Sequence, residues 1–290
     1  MRKILITGAN SYIGTSFEKY AAQWPENYQV DTIDMIDGTW RDRDFSGYDC
    51  VYHVAGIAHS DTGKATEEQK ALYYQVNTDL TIETAQKAKR DGVRQFIFMS
   101  SAIVYGDSAP IGKAKVIDRD TAVNPANFYG DSKVQAENGI LPLSDEHFHV
   151  VILRPPMIYG PGSKGNYPLL SKLARKLPLF PAVNNQRSML YIENLLEFVR
   201  LMIEYNEQGV FWPQNSEPVS TSDLVQKIAA AHGKKLRLVK GFTWALKAMS
   251  WVTKLINKAF GSFVYAAELS EYKYNYRICT FDESIKRTEL

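Results

Sequence analysis

Short apolar runs alternate with helix-period stretches through the first half of the chain, and this alternation constrains the fold more than any other feature. Lys3-Ile4-Leu5-Ile6-Thr7 reads as a buried strand, and the pattern from Tyr12 to Gln23 as a helix closed by Trp24-Pro25. Gln29 to Asp34 and Cys50-Val51-Tyr52-His53-Val54 read as further strands, followed by a long helical stretch from about Thr66 to Arg90. Gln95-Phe96-Ile97-Phe98-Met99 comes next, then a helix bearing Tyr129 and Lys133, then Val150-Val151-Ile152-Leu153. Parallel strands need long crossovers, and helices used as crossovers cover both faces of the sheet. The expected fold class is therefore α/β, with a doubly wound parallel sheet. Beyond Pro155 the pattern is less regular, with helices expected at Tyr167 to Lys176, Glu193 to Tyr205, Thr221 to His232 and Asp282 to Thr288.

Composition removes several classes of function. With 290 residues the chain can bury a large core, and 45% apolar with 23% charged residues is an ordinary globular balance. A net charge of +2 gives no electrostatic footprint for nucleic acid. Cys50 and Cys279 are too few for a disulfide framework or a zinc site, so no metal is expected and a cytoplasmic location fits. The apolar run after Met1-Arg2-Lys3 is too short for a signal peptide. Phe242 to Phe260 carries Lys247, Lys254 and Lys258 and cannot span a membrane; its apolar positions fit one helical face, with Trp244 and Trp251 available to cover a ligand or an interface.

Between the first strand and first helix lies Thr7-Gly8-Ala9-Asn10-Ser11-Tyr12-Ile13-Gly14. Glycines there allow a tight turn and close approach of a pyrophosphate to the helix N-terminus, with Ser11 standing where a middle glycine is usual. Asp34, at the end of the next strand, is placed to accept hydrogen bonds from adenosine ribose hydroxyls and to repel a 2′-phosphate. That favours NAD over NADP, although Arg41 and Arg43 follow closely enough to blur the preference and leave NADP open. Further on, Tyr129 and Lys133 stand four apart and so share a helix face. A fixed ammonium beside a phenol is expected to lower the phenol toward a useful acid/base range.

Several ordered motifs make the chain resemble the extended short-chain dehydrogenases, specifically the NAD-dependent epimerase/dehydratase family. They are Thr7 to Gly14, His53-Val54-Ala55-Gly56, Asn77, Ser100-Ser101-Ala102-Ile103-Val104-Tyr105-Gly106, Tyr129 to Lys133, Arg154-Pro155-Pro156-Met157-Ile158-Tyr159-Gly160-Pro161 and Arg187-Ser188-Met189-Leu190-Tyr191-Ile192. The resemblance implies a Rossmann-type sheet with a small C-terminal α+β substrate lobe. Residues 1–155 plus about 187–212 would form the dinucleotide-binding domain, and about 156–186 and 213–290 the substrate-binding lobe. It implies Ser101, Tyr129 and Lys133 as catalytic residues, with Tyr129 the general acid or base. It implies Gly8, Ser11, Tyr12, Ile13, Gly14, Asp34, Ala55, Gly56, Lys133 and Pro155 around the cofactor. Ser101, Asn166 and Arg187 would hold a nucleotide sugar of the UDP-hexose type, Arg187 at the diphosphate. A homodimer is the family expectation, and His53 is expected to be a satisfied core histidine.

Departures from the family pattern narrow the reaction. Dehydratases carry an Asp-Glu pair just after the catalytic hydroxyl, where this chain has Ala102 and Ile103. Galactose-type 4-epimerases show an aromatic-Asn pair where this chain has Pro156-Met157, and the segment from Asp34 to Cys50 is short, with Thr39-Trp40 where an adenine-contacting Asp is common. The favoured expectation is reduction of a UDP-4-keto-6-deoxy-hexose; the alternative is an NAD-dependent UDP-sugar 4-epimerase, and a lesser one a non-catalytic dinucleotide-binding protein.

Overall fold

A computed structural model describes residues 1–58, 65–242, 244, 257 and 259–290. The chain divides into two compact units. The first comprises Met1–Gly106, Val123–Pro155 and Leu196–Pro213; the second comprises Asp107–Ala122, Pro156–Leu195 and Gln214–Leu290.

In the first unit the apolar runs form a six-stranded sheet. Its strands are β1 (Arg2–Thr7), β2 (Tyr28–Ile33), β3 (Cys50–His53), β4 (Gln95–Met99), His149–Leu153 and Gly209–Phe211. Across the sheet β2 is at one edge, followed by β1, β3, β4, His149–Leu153 and Gly209–Phe211, and every pairing is parallel. Helices α1 (Tyr12–Ala21), α2 (Glu67–Tyr74), α3 (Leu80–Arg90) and α4 (Phe128–Ile140) belong to the same unit. The runs are apolar because both faces of the sheet are covered: Leu5, Val51, Phe96, Val150 and Ile152 on one face and Ile4, Ile6, Tyr52, Ile97 and Val151 on the other are all fully buried. Burial of such a side chain is worth about 1.5–3 kcal/mol. The chain leaves β1 for β2 on one side and returns to β3 on the other. The C-terminal ends of β1 and β3 therefore flank the switch point at which open α/β sheets bind ligands.

Three local features differ from the periodic reading. The stretch from Thr66 to Arg90 is not one regular helix, because Gln75–Asp79 forms a π-helical turn between α2 and α3. Such an extra residue per turn is common at functional sites. The Gly209–Phe211 strand, at the sheet edge, is three residues long and carries too little alternation to be read from sequence. Between β2 and β3 there is only a 3₁₀ turn, Thr39–Arg41, whose Trp40 is fully buried in the core.

The second unit is built from short pairs of parallel strands: Met157–Tyr159 with Met189–Tyr191, Leu179–Pro181 with Arg237–Val239, and Val116–Ile117 with Val264–Tyr265. Helices Asn166–Lys176, Thr221–Ala231 and Phe281–Glu289 accompany them. Its core is tyrosine-rich: Tyr159 stacks on Tyr167 at 5.3 Å, and Tyr265 and Tyr276 are buried, which accounts for much of the tyrosine density near the C-terminus. Most of the expected helix from Phe242 to Phe260, including Trp251, lies outside the described residues. Of its described ends, Trp244 is exposed and Phe260 packs against Phe180 at 5.6 Å. Among the described residues no helix is long and apolar enough to cross a membrane, and no cluster of His, Cys, Asp and Glu could hold a metal ion.

Candidate active site

The turn after β1 closes as its sequence demands. Gly8 has φ of +88°, and a Cβ there would lie 2.9 Å from both Cα and N of Ala55 at the end of β3. A side chain at residue 8 is thus excluded twice, by backbone conformation and by the approach of the β3 exit. Ser11 needs no glycine conformation: it is the N-cap of α1, with φ of −69° and its Oγ accepting the Gly14 N–H at 3.1 Å. The left-handed residue is Asn10 instead, at φ of 63°. The N–H groups of Gly8 and Ala9 are held by Ile33 O at 3.0 and 3.2 Å, which ties the turn to the end of β2. Tyr12 and Ile13 open α1, where amides lack intrahelical acceptors and favour an anion.

At the other side of the turn Asp34 is exposed, with one carboxylate oxygen accepting Ile36 N–H at 2.8 Å. The two arginines expected to blur its preference are both engaged elsewhere. Arg41 forms a two-pronged pair with Glu83, both contacts at 2.5 Å, and Arg43 donates to Tyr48 OH at 2.5 Å, with Asp31 at 3.8 Å. The acidic residue therefore dominates the exit of β2.

The catalytic candidates Ser101, Tyr129 and Lys133 come together in the first unit. Ser101 follows β4, caps the 3₁₀ turn Ala102–Tyr105 by accepting Ile103 N–H at 3.3 Å, and places its hydroxyl beside the Tyr129 phenol. Capping thus falls to Ser101, whereas its neighbour Ser100 donates to Glu137. Asn127 caps α4 through Gly130 N–H at 3.0 Å, which sets the register that puts Tyr129 and Lys133 on one face. Gly130 lets that helix approach the turn, since a Cβ there would meet Ile103 O at 2.9 Å.

The electrostatics differ from the expectation drawn from spacing. Burial pushes the Tyr129 phenol up to about 12, with the Ser101 hydroxyl pulling the other way and nearby Tyr73 adding to the rise. The phenol is raised, not lowered, because desolvation outweighs its neighbours. Lys133 is only 5% exposed and burial lowers it to about 8, against the favourable charge of Glu137. Its Nζ donates to Met99 O at 3.0 Å and lies 4.6 Å from the centre of the Phe98 ring. Gly56 sits beside that ammonium: a Cβ on it would come within 3.0 Å of Asn77 Oδ1 and 3.3 Å of Lys133 Nζ.

Asn77, fully buried in the π-helical turn, accepts Ile57 N–H at 2.8 Å and donates to Ile57 O and Ser132 Oγ, both at 3.1 Å. It thereby joins the β3 exit to α4. His53 is fully buried between Thr7 Oγ1 at 2.7 Å and Thr81 Oγ1 at 3.0 Å. Burial, helped by Lys133, lowers it to about 3, so it is a neutral, satisfied core histidine. Ala55 is buried, and Pro155, also buried, accepts Ala102 N–H at 2.9 Å. The bare floor at Gly8 and Gly56, the amide-rich start of α1, the acid at Asp34 and the ammonium of Lys133 fit a dinucleotide in shape and charge.

Asn166 and Arg187 belong to the second unit. Asn166 is the exposed first residue of its helix. Arg187 is tied into the unit by its backbone to Val219, in both directions at 2.9 Å, and by Nη1 to Gly261 O at 3.2 Å. Sequence reasoning assigned no role to Glu137 or Arg154, which form a buried pair beneath the catalytic turn with Nη2 to Oε2 at 2.6 Å. The signal was present in the spacing: Tyr129, Lys133 and Glu137 repeat at four residues along one helix face.

A family model described as the NAD dependent epimerase/dehydratase family matches residues 4–211. The chain is 31% identical over 281 residues to a UDP-glucose 4-epimerase from Vibrio cholerae, covering 90% of this chain and 83% of that protein. Among solved structures, a dTDP-4-dehydrorhamnose reductase from Clostridium acetobutylicum superposes with a TM-score of 0.73 at 20% identity, covering 98% of this chain and 97% of that one. A UDP-glucuronic acid 4-epimerase from Bacillus cereus in complex with NAD superposes with a TM-score of 0.74 at 17% identity, covering 99% and 97%. These two share the fold.

Proposed function

Because the chain belongs to the NAD-dependent epimerase/dehydratase family, an NAD(P)-dependent enzyme family acting on nucleotide sugars, we propose that it epimerises a UDP-hexose at C4 and retains NAD through the cycle. The observation that carries this reading is the placement of the Ser101 hydroxyl beside the Tyr129 phenol, one helical turn from Lys133, at the C-terminal edge of the sheet, with Ala102 and Ile103 where an eliminating acid pair would stand.

A bound NAD would supply the hydride acceptance and return at C4 that no side chain can provide. Tyr129 handles the proton at the sugar O4: the phenol donates when a 4-keto group is reduced and the same oxygen accepts when the alcohol is oxidised. Ser101 donates to the tyrosine oxygen and so stabilises the phenolate left behind, the one interaction at this phenol that works against its burial. Lys133 supplies ribose donors and a positive charge one helical turn from the phenol. Gly8, Ser11, Tyr12, Ile13, Gly14, Asp34, Ala55, Gly56 and Pro155 form the proposed cofactor contacts. Arg187 and Asn166, in the second unit, are proposed for the diphosphate, for which a planar guanidinium is suited.

Asp34 with both following arginines engaged supports NAD, and retained NAD belongs to an epimerase. A second reading, reduction of a UDP-4-keto-6-deoxy-hexose, is favoured by Pro156-Met157, which lacks the aromatic-Asn pair typical of galactose-type epimerases. One experiment separates them. The purified protein is denatured and the supernatant assayed for dinucleotide: close to one NAD per chain, with no NADP, is expected. An empty protein that oxidises added NADPH with a UDP-4-keto-6-deoxy-hexose would overturn the epimerase reading.

A further inference from the structure

Beneath the catalytic turn lies a connected polar network that the proton chemistry does not itself use. Glu137, one turn beyond Lys133 on α4, is 4% exposed. Arg154, at the end of the His149–Leu153 strand, grips it with Nε at 3.1 and 3.2 Å from the two carboxylate oxygens and Nη2 at 2.6 Å. The remaining guanidinium nitrogen, Nη1, donates to Tyr105 OH at 2.6 Å, and Trp212 Nε1 donates to the same hydroxyl at 2.7 Å. Ser100 Oγ donates to Glu137 from the other side.

The topology of these bonds matters more than their number. Ser100 and Tyr105 flank the segment that carries Ser101, and each is bonded to one member of the ion pair. The middle of the segment is held by Ala102 N–H on Pro155 O at 2.9 Å, next in sequence to Arg154. A buried ion pair is weak evidence for stability, because desolvation offsets most of its attraction. Its geometric consequence is definite: displacing Glu137 or Arg154 releases an end of the Ser101 turn.

We propose that the Glu137–Arg154 pair is a positioning device that holds the Ser101 hydroxyl in register with the Tyr129 phenol. The proposal rests on the catalytic reading of Ser101 given above. Misplacement of a reacting group by about 1 Å costs on the order of 10²-fold in rate. Glu137→Gln, which keeps an acceptor for Ser100 but loses the charge that Arg154 needs, is therefore expected to lower kcat by about 10–100-fold with KM changed by less than about 3-fold.

The test has two arms. In the first, a double-mutant cycle with Ser101→Ala follows UDP-glucose conversion, and the Glu137→Gln loss shrinks to within about 3-fold once the serine hydroxyl is gone. In the second, which needs no substrate, hydrogen exchange at the Ala102 and Ile103 amides is read in Glu137→Gln and in the milder Tyr105→Phe. Exchange there accelerates by about 10-fold or more while β1 amides keep their protection. Equal losses in both backgrounds, or unchanged exchange at 102 and 103 in folded variants, would overturn the proposal. A Ser101→Ala enzyme as active as the parent would instead refute the proposed function, and exchange would then decide the positioning claim alone.

Discussion

Tyr129→Phe is expected to reduce turnover by about 10²–10⁴-fold, the range for loss of a positioned acid/base group, while NADH binding stays within about 2-fold. The substitution removes one oxygen and keeps the ring that packs edge-on against Tyr73 at 5.9 Å, so the start of α4 has no reason to move. Asn127 still caps the helix, and Lys133 still reaches Met99 O. What disappears is the acceptor for Ser101 and the proton for the sugar oxygen. Steady-state turnover and fluorescence titration with NADH separate the two effects, and an active Phe variant would remove Tyr129 from the mechanism.

Lys133→Met is expected to produce a more stable protein that no longer works. Burial lowers this lysine from 10.5 to about 8, so the unfolded chain binds its proton more tightly than the folded one. The penalty is present in full below about pH 8 and fades as pH rises toward 10.5. Allowing for the lost bond to Met99 O, the variant should gain about 1–3 kcal/mol at pH 7. Urea unfolding measures this, and the gap between parent and variant should close by pH 10.5. Turnover should fall with it and NADH affinity weaken, because the ammonium next to Gly56 is the proposed ribose contact. A destabilised Met variant would mean that the Met99 and Phe98 contacts outweigh desolvation. A stabilised, inactive Met variant would show that the buried charge is kept for function and not for folding.

Much of the first unit was legible because its physics is local. Apolar runs such as Cys50 to His53 report burial on both faces of a parallel sheet, whereas the capping role of Ser11, which stands where a middle glycine is usual, emerged only from the fold. That Tyr129 and Lys133 share one face was legible because a helix repeats every three to four residues. What escaped was set by tertiary surroundings. Spacing puts an ammonium near a phenol, but burial decides which way the phenol shifts. Spacing puts Glu137 on the face of Lys133, but its partner Arg154, distant in sequence, is brought against it only by the fold. The engagement of Arg41 by Glu83 is likewise a contact across elements that no window of sequence contains.

In the proposed cycle Tyr129 and Ser101 serve a hydride removed from and returned to the same carbon. It is tested most directly by incubating the protein with UDP-glucose in D₂O and reading the sugar ring by proton NMR. UDP-galactose that keeps its original C4 hydrogen is expected, with no solvent deuterium at that carbon, and no product from Tyr129→Phe. Deuterium at C4, or product formed equally well without the Tyr129 hydroxyl, would contradict it.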